Sequence, residues 1–319
     1  MREKIKDIFL QSGHQFVSGE DIGKQLNISR TAVWKHIEEL KREGFHFEAI
    51  RRKGYRLVND PDDISPERLK NQLLTKWLGK EILFIPEVES TQRVAHEIAR
   101  NGAEHGTVVM TDEQTNGKGR LGRSWFSQKG KGIWMSMVIR PEFFFQQTPQ
   151  ITLVTSVILS RTLNELYPGY FMIKWPNDIF LNGRKISGIL TEIHGEQDQI
   201  HYMIIGIGIN THKVEFPHDL QEKATSIEEE VGVKPKRMEL IQNFFLEFER
   251  QYAQFVKEGF NSFYPYYNEH LFGKGRRITV NQFTKSVEGE ILRINEEGYL
   301  ILKQENGQEV NIISGDLLL

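Results

Sequence analysis

The sequence contains no cysteine, and this absence excludes disulfides, thiolate metal sites and cysteine catalysis at once. It also lacks any apolar run near the roughly 18 residues that a membrane-spanning helix needs. Its first residues, MREKIKDIFLQSG, lack the apolar stretch of a signal peptide. We therefore expect a cytoplasmic protein with no membrane partner. A large net charge is missing too: the formal charge is -2 at pH 7, so any nucleic-acid binding must depend on a local basic patch.

Residues 113–134, EQTNGKGRLGRSWFSQKGKGIW, combine glycines, cations and two tryptophans. Glycine lets the backbone approach an anion and take positive φ, and the cations supply the opposing charge. A dinucleotide fingerprint fits the glycine spacing, but too many glycines follow for the helix that such a site needs. We interpret the segment as a mobile phosphate-binding loop between two pairing strands, and the alternative is a solvated surface loop. Its glycines and cations are Gly117, Gly119, Gly122, Gly130, Gly132, Lys118, Arg120, Arg123 and Lys129.

The first sixty residues predict a helix-turn-helix followed by a β-hairpin wing. Ser18 is the predicted N-cap of the second helix, with Asp21 in a variant of the capping box, and a tight turn at Asn27 precedes the third helix. Twelve Lys and Arg residues face nine Asp and Glu residues here, which favours DNA binding. The alternative is a docking module for proteins. The predicted DNA-binding residues are Ser29, Arg30, Thr31, Trp34, Lys35, Arg51, Arg52 and Lys53.

A second chemical signature is IKWPNDIFLNGRKISGILTEI, at residues 173–193. Asn182-Gly183 predicts a type I′ hairpin turn between two strands. Lys174 lies at the end of an apolar strand beside Trp175, where an uncompensated ammonium is unfavourable. We therefore expect an anion to meet Lys174, although a lysine next to a turn is often only a solvated charge.

Four segments in this order, GKGRLGRSW, KWPND, GRKISGILTE and GIGIN, resemble the signature segments of biotin protein ligases. The N-terminal unit resembles that of the bifunctional members, which also repress biotin genes. The resemblance covers essentially the whole chain and implies an α+β fold of three domains. These are a winged helix-turn-helix DNA-binding domain over 1–60, a central mixed sheet with helices (class II synthetase-like) over 65–270, and a C-terminal SH3-like β-barrel over 271–319. The sequence NDPDD at 59–63 is the predicted linker.

The resemblance also implies which residues bind ligands. The residues implied for biotin are Ser90, Thr91, Gln92, Gln114, Lys118, Gly119, Arg120, Lys174 and Gly188. Those implied for ATP or the adenylate are Lys118, Arg120, Arg123, Trp125, Lys174, Asn177 and Asn210. Lys174 and Arg120 are the implied catalytic residues. Lys118 stands where many relatives carry arginine, which keeps the charge but loses the bidentate fork. Ser90 or Thr91 could instead be only the N-cap of a helix.

The implied activity has two halves. Biotin and ATP, with Mg²⁺, form biotinyl-5′-AMP and pyrophosphate, and biotin then passes to a lysine of a biotin carboxyl carrier domain. No carboxylate cluster in the sequence indicates a metal site. Implied partners are operator DNA and a second copy in a homodimer, with biotinyl-5′-AMP as corepressor. Three alternatives stay open: a lipoate-type ligase, a ligand-sensing DNA-binding regulator without ligase activity, and a ligase whose helical unit only docks partners.

Overall fold

A computed structural model of the chain describes residues 1–13, 15–42, 44–59, 62, 64–143, 145–196, 199–282 and 286–318. These residues form two compact units, Met1–Ile64 and Ser65–Leu319. Asp60, Pro61 and Asp63 of the predicted linker lie outside the described residues. None of the described helices has both the length and the apolar character that crossing a membrane requires.

The small unit has the predicted helices, turn and wing. Its elements are α1 (Arg2–Gln11), α2 (Gly19–Leu26), α3 (Arg30–Arg42), β1 (His46–Ile50) and β2 (Gly54–Asn59). Ser18 caps α2, but its hydroxyl accepts from the amide of Glu20 at 3.1 Å rather than from that of Asp21. Asn27 ends α2 in the left-handed conformation. The fully buried residues of the core include Ile5, Ile22, Val33, Ile37 and Leu40, so the predicted helical stripe of α3 is confirmed.

The large unit is built on one mixed sheet in the strand order β3-β4-β6-β10-β9-β8-β7, with β5 paired to β4. Among the described strands of this sheet, only β3 and β4 pair in parallel. Its strands are β3 (Ile82–Val88), β4 (Val108–Lys118), β5 (Ser124–Ser127), β6 (Gly132–Ile139), β7 (Met172–Lys174), β8 (Asp178–Leu181), β9 (Arg184–Glu196) and β10 (Gln199–Asn210). The predicted β8–β9 turn is confirmed, with φ values of 50° at Asn182 and 83° at Gly183.

Helices cover this sheet. They are α4 (Pro66–Gln72), α5 (Thr91–Arg100), α6 (Thr148–Leu166), α7 (Ile227–Val231), α8 (Arg237–Glu258) and α9 (Tyr264–Glu269). Ala95 and Ala99 of α5 pack against Val109, Val138 and Ile204 of the central strands. Helix α6, the buried helix predicted from ITLVTSVILSRTLNEL, packs against α8 and against β7, β8 and β9. Every residue of β6 is buried, because both faces of the sheet are covered at its centre.

The C-terminal strands form an antiparallel sheet in the order β14-β13-β12-β11-β15. They are β11 (Arg277–Asn281), β12 (Ser286–Ile294), β13 (Leu300–Lys303), β14 (Glu309–Ile312) and β15 (Asp316–Leu318). The predicted turns are found, with positive φ at Gly298 and Gly307. Trp175 Nε1 donates to the carbonyl of Gly298 at 3.0 Å, which ties this sheet to the strand-end motif of the central one.

More of the glycine-rich segment lies in strands than the sequence predicted. Strand β4 continues through Lys118 and pairs with β5, so that only a short turn around Arg120–Gly122 lies outside the hairpin. Of the five glycines only Gly122 and Gly130 have positive φ. Gly117 is instead required by packing, because a Cβ there would lie 2.4 Å from the carbonyl oxygen of Trp125. The glycines of this segment therefore serve two purposes, positive φ at Gly122 and Gly130 and close packing at Gly117.

Candidate ligand-binding cavity and DNA-binding face

A single cavity of about 690 Å³ lies where the N-terminus of α5, the β4–β5 hairpin and strands β7 to β10 meet. Its volume is within the range of small-molecule sites. All the residues implied for biotin, ATP or the adenylate line it: Ser90, Thr91, Gln92, Gln114, Lys118, Gly119, Arg120, Arg123, Trp125, Lys174, Asn177, Gly188 and Asn210. Five separate stretches of sequence therefore converge on one site.

One end of the cavity is a closed polar network at the start of α5. Gln114 Oε1 accepts from the Thr91 amide at 2.9 Å and from the Thr91 hydroxyl at 3.1 Å. Ser136 bridges the Thr91 hydroxyl at 2.9 Å and Gln92 Oε1 at 3.1 Å. Ser90 occupies the N-cap position, yet its side chain makes no capping bond. Ser90 is therefore the N-cap by position, but Gln114 Oε1 rather than the Ser90 hydroxyl accepts from the first amide of the helix.

The Ser90 side chain differs from its neighbours in this network. Its hydroxyl is buried and has no hydrogen-bond partner among the described residues, although the residue lines the cavity. An unpaired buried hydroxyl is unfavourable by about 1–3 kcal/mol, so a ligand that bonds to it recovers that free energy. This end of the cavity can therefore hold a small ring with both donors and acceptors on its edge.

Glycines form the floor of the cavity. A Cβ at Gly206 would lie 2.4 Å from Gln92 Oε1, and one at Gly208 would lie 2.3 Å from Trp125 Nε1. A Cβ at Gly188 would lie 3.0 Å from the Trp125 ring. Any side chain at these positions would displace Gln92 or Trp125, so the glycines of β9 and β10 fix where both functional groups lie.

Two of the cations around the cavity, Arg120 and Lys185, are held by a hydrogen bond and an ion pair. Arg120 donates to Asn177 Oδ1 at 2.7 Å, and Asn177 Nδ2 donates to Asp178 Oδ1 at 3.0 Å. Lys185 pairs with Asp178 at 2.7 Å and lies over the Trp125 ring. The guanidinium and ammonium groups are thus oriented before a ligand arrives, which is the arrangement that stabilises developing negative charge.

Lys174 differs from these cations. It forms no ion pair with any described carboxylate, and its ammonium lies 5.2 Å from the centre of the Phe180 ring. Burial lowers the pKa of Lys174; the charge of Asp178 opposes this shift and that of Lys185 adds to it. An anion bound beside Lys174 would offset the unfavourable burial of its charge. The position is therefore suited to a phosphate or carboxylate ligand.

The C-terminal sheet also contributes to the cavity. Arg123 of the β4–β5 turn forms an ion pair with Asp316 of β15, and both residues line the cavity with Arg276 and Phe272. Sequence reasoning assigned Arg123 to ligand oxygens and gave Asp316 no role. Their separation of 193 positions leaves no local pattern from which the pair could be predicted.

Lys185 is the most important residue that sequence reasoning missed. The segment GRKISG is part of the family resemblance, yet the residues implied for catalysis include Lys174 and not Lys185. Strand β9 pairs Ser187 with Ile179 and then Lys185 with Phe180, so a bulge at this point breaks the simple alternation of faces. The side to which Lys185 points therefore depends on a local irregularity that the alternating pattern does not show.

No group of three or more His, Asp or Glu side chains among the described residues could hold a metal ion. The acidic side chains closest to the cavity cations, Asp178 and Asp316, are already paired with Lys185 and Arg123. The described part of the chain thus supplies no metal site of its own.

The predicted DNA-binding residues lie together on the surface of the small unit. Ser29, Arg30, Thr31, Trp34 and Lys35 are all exposed at the start of α3, with Trp34 49% exposed. The Ser29 hydroxyl accepts from the Ala32 amide at 3.1 Å and so caps the helix. The other three residues, Arg51, Arg52 and Lys53, form the exposed turn of the wing. The layout is that of a helix that can enter a major groove beside a basic wing.

Three family models match the chain. The model of the biotin/lipoate A/B protein ligase family matches residues 84–210, the HTH domain matches 2–56, and the biotin protein ligase C terminal domain matches 274–319. The first of these is shared by biotin and lipoate ligases, so by itself it does not separate the two.

Similar proteins of known name distinguish between the biotin and the lipoate ligases of this family. The bifunctional ligase/repressor BirA of Bacillus subtilis (strain 168) is 40% identical over 321 residues, covering 100% of this chain and 98% of the relative. That of Escherichia coli (strain K12) is 28% identical and covers 98% of each chain. Among solved structures, the biotin protein ligase of Aquifex aeolicus in complex with biotin and ATP superposes with a TM-score of 0.67 at 28% identity, covering 75% of this chain and 98% of that one.

Proposed function

Because the chain belongs to the family of bifunctional biotin protein ligases and repressors, we propose that it activates biotin with ATP, transfers it to a lysine of a carrier protein, and represses transcription in response to biotin. The observation that carries the proposal is the convergence of all the implied ligand-binding residues on one cavity. The full-length similarity to ligase/repressors, with a helix-turn-helix at its N-terminus, supports the second activity.

In this proposal the ureido ring of biotin lies at the network of Ser90, Thr91, Gln92 and Gln114. The unpaired hydroxyl of Ser90 gives the ring an additional hydrogen-bonding group. The valeryl chain then extends toward Gly188 and the cations. The adenine packs against Trp125 and meets Asn210, whose Nδ2 already donates to the Thr225 carbonyl at 3.0 Å, so that its oxygen is the atom left to accept.

The first step joins the carboxylate of biotin to the α-phosphorus of ATP, and the bond to pyrophosphate breaks. Negative charge builds on the phosphoryl oxygens, and Lys174 and Arg120 stabilise it, with Lys185 close by. The pairing of Arg120 with Asn177 keeps its guanidinium aimed at the cavity. Removing one such preorganised donor typically raises the barrier by about 2.7–4 kcal/mol.

In the second step the ε-amine of the acceptor lysine attacks the acyl carbon, and the bond to AMP breaks. The mixed anhydride hydrolyses in water, so the β4–β5 hairpin must cover it until the acceptor arrives. The exposed turn with Leu121, 60% exposed at a φ of 56°, is the part of the hairpin that can move over the ligand.

Mg²⁺ enters this scheme with ATP. Since the described residues offer no metal site of their own, the ion would be held by the phosphate oxygens, as is usual for Mg²⁺ with nucleotides. Its chemistry there is to neutralise charge on the phosphates.

Repression requires a link between biotin supply and the small unit. We propose that the bound adenylate promotes a homodimer through the central sheet, and that the dimer binds a two-fold operator. Sedimentation with and without biotin and ATP tests this link. An unchanged association state would contradict it.

Two assays test the proposed function. Biotin-dependent release of pyrophosphate from ATP, followed by transfer of labelled biotin to a carrier domain, is expected of a biotin ligase; release with lipoate instead would identify a lipoate ligase. Footprinting on DNA upstream of the gene separates the bifunctional protein from a ligase whose helical unit only docks partners.

A further inference from the structure

One carboxylate joins three pieces of chain beside the cavity. The Glu230 side chain is 7% exposed, and Arg184 forms an ion pair with it. Its two oxygens also accept from Asn182 Nδ2 and from the Thr225 hydroxyl, each at 2.8 Å. Asn182 lies in the β8–β9 turn, Arg184 is the first residue of β9, and Thr225 belongs to the segment before α7. Because every bond is charge-assisted, Glu230 fixes the turn and this segment relative to each other.

Main-chain hydrogen bonds connect the segment held by Glu230 to residues that line the cavity. The Lys185 amide donates to the Lys223 carbonyl at 2.8 Å, and the Thr225 amide donates to the Lys185 carbonyl at 2.9 Å. The Thr225 carbonyl in turn accepts from Asn210 Nδ2. Lys185, Lys223 and Asn210 all line the cavity. The position of two groups at one end of the cavity thus depends on the segment that Glu230 holds.

Glu230 is ionised at neutral pH. Burial alone would raise the pKa of Glu230, but the hydrogen bonds from Asn182 and Thr225 and the charge of Arg184 outweigh it and lower the pKa. A comparable carboxylate exists on α8, where Glu247 accepts from Arg250 at 2.6 Å and from Gln251 at 2.8 Å. The two differ in what they connect, because the partners of Glu247 lie on its own helix. The partners of Glu230 are instead next in sequence to the cavity-lining residues Gly183, Lys185 and Ala224.

We propose that Glu230 is a positioning residue for the nucleotide half of the site, acting through Lys185 and Asn210. This inference rests on the proposed function, in which Asn210 meets the adenine. The ureido network on α5 and β4 has no hydrogen bond to the Glu230 cluster among the described residues. Loss of Glu230 should therefore weaken the use of ATP while leaving biotin recognition intact.

The test is a comparison of Glu230→Gln with the matched control Glu247→Gln in the full-length protein. Both substitutions remove a carboxylate that pairs with an arginine and an amide. We expect Glu230→Gln to raise the KM for ATP about tenfold, as expected for losing one charge-assisted hydrogen bond, with the KM for biotin within about twofold of wild type. Glu247→Gln should leave both KM values unchanged. Pyrophosphate release measures both.

A merely structural role predicts a different pattern. If Glu230→Gln leaves both KM values unchanged, or raises both to the same extent, the inference is overturned. Should that variant not fold, Thr225→Val keeps the carboxylate and its arginine, removes only one hydroxyl, and is expected to raise the KM for ATP about threefold; no change in that KM would equally overturn it. Absence of biotin-dependent pyrophosphate release in wild type would instead refute the proposed function itself.

Discussion

In the small unit the cations expected to meet a ligand lie exposed on the surface, whereas in the large unit some of them are held by partners inside a cavity. The wing tip, with Arg51, Arg52 and Lys53, forms no ion pair among the described residues. In the cavity Arg120 is bonded to Asn177 and Lys185 to Asp178. Exposed, mobile cations suit the long phosphate backbone of DNA, which binds by releasing counter-ions. Preorganised cations suit a small ligand whose charge develops at one place.

The comparison is tested most strongly by removing Lys174, a cavity cation that forms no ion pair with any described carboxylate. Lys174→Ala is expected to slow adenylate formation by about 100- to 1000-fold, because a preorganised donor at the phosphate is lost. The burst of pyrophosphate on mixing with biotin and ATP measures it. Lys303→Ala is the matched control, since Lys303 is also the last residue of a strand but is exposed. A normal burst in Lys174→Ala would rule out the role given to it.

The small unit should respond in a different way. Replacing Arg51, Arg52 and Lys53 together by Ala is expected to lower affinity for upstream DNA about 10- to 100-fold near physiological salt, and to reduce the salt dependence by up to about three counter-ions. The rate of biotin transfer should not change. DNA titrations at several salt concentrations measure both quantities. Unchanged DNA affinity in this triple variant would remove the wing from the proposed interface.

Arg120→Gly tests whether a cavity cation that is held by a partner retains the adenylate. Without the guanidinium that Asn177 holds, the adenylate should leave the site about tenfold faster, as expected for one lost charged hydrogen bond. Released adenylate would label lysines of a bystander protein, which mass spectrometry can count. If bystander labelling matches that of wild type, the turn around Arg120 does not retain the intermediate.

The smallest expected effect is on the stability of the protein. Replacing Lys174 should raise the free energy of unfolding although it lowers activity. Burial lowers the pKa of Lys174 from 10.5, so between the lowered value and 10.5 the unfolded chain binds more protons and stability rises with pH. Lys174→Met should therefore stabilise the ligand-free protein at pH 7 by about 1 kcal/mol, as expected when a strained functional group is removed. The gain should vanish by about pH 10.5.

The difference in stability between Lys174→Met and wild type is measured by urea denaturation at pH 7 and at about pH 10.5, followed by tryptophan fluorescence. A Met variant that is less stable than wild type at pH 7 would show that the buried ammonium is compensated by the protein and does not await an anion.

The two units also differ in how far the sequence predicts them. In the small unit the spacing of Val33, Ile37 and Leu40 places the outward residues of α3 directly, because helix periodicity is local. In the large unit the residues alone indicated anion binding by the glycine-rich segment and Lys174, but the individual roles of the other site residues came from resemblance to a family. Periodicity could not have assigned them, since strands such as β6 are buried on both faces and carry no alternating signal.

What the sequence could not supply was pairing between distant segments. In the sequence Gly206 and Gly208 look like ordinary strand residues. Only the structure shows that Gln92 packs on Gly206 and Trp125 on Gly208. The glycine-rich segment was predicted to be a loop because its glycines are untypical of a strand, although β4 pairs with β5 there. The role proposed for Glu230 likewise depends on its bonds to Asn182 and Arg184, which lie 48 and 46 positions away in the sequence.

The account depends most directly on the cavity retaining an activated biotin. Wild-type protein mixed with biotin and ATP labelled at the α-phosphate, then freed of small molecules, should carry about one equivalent of biotinyl-5′-AMP per cavity, and added carrier domain should discharge it as AMP while gaining biotin. Folded protein that retains no label and forms no pyrophosphate in the presence of biotin would contradict the account.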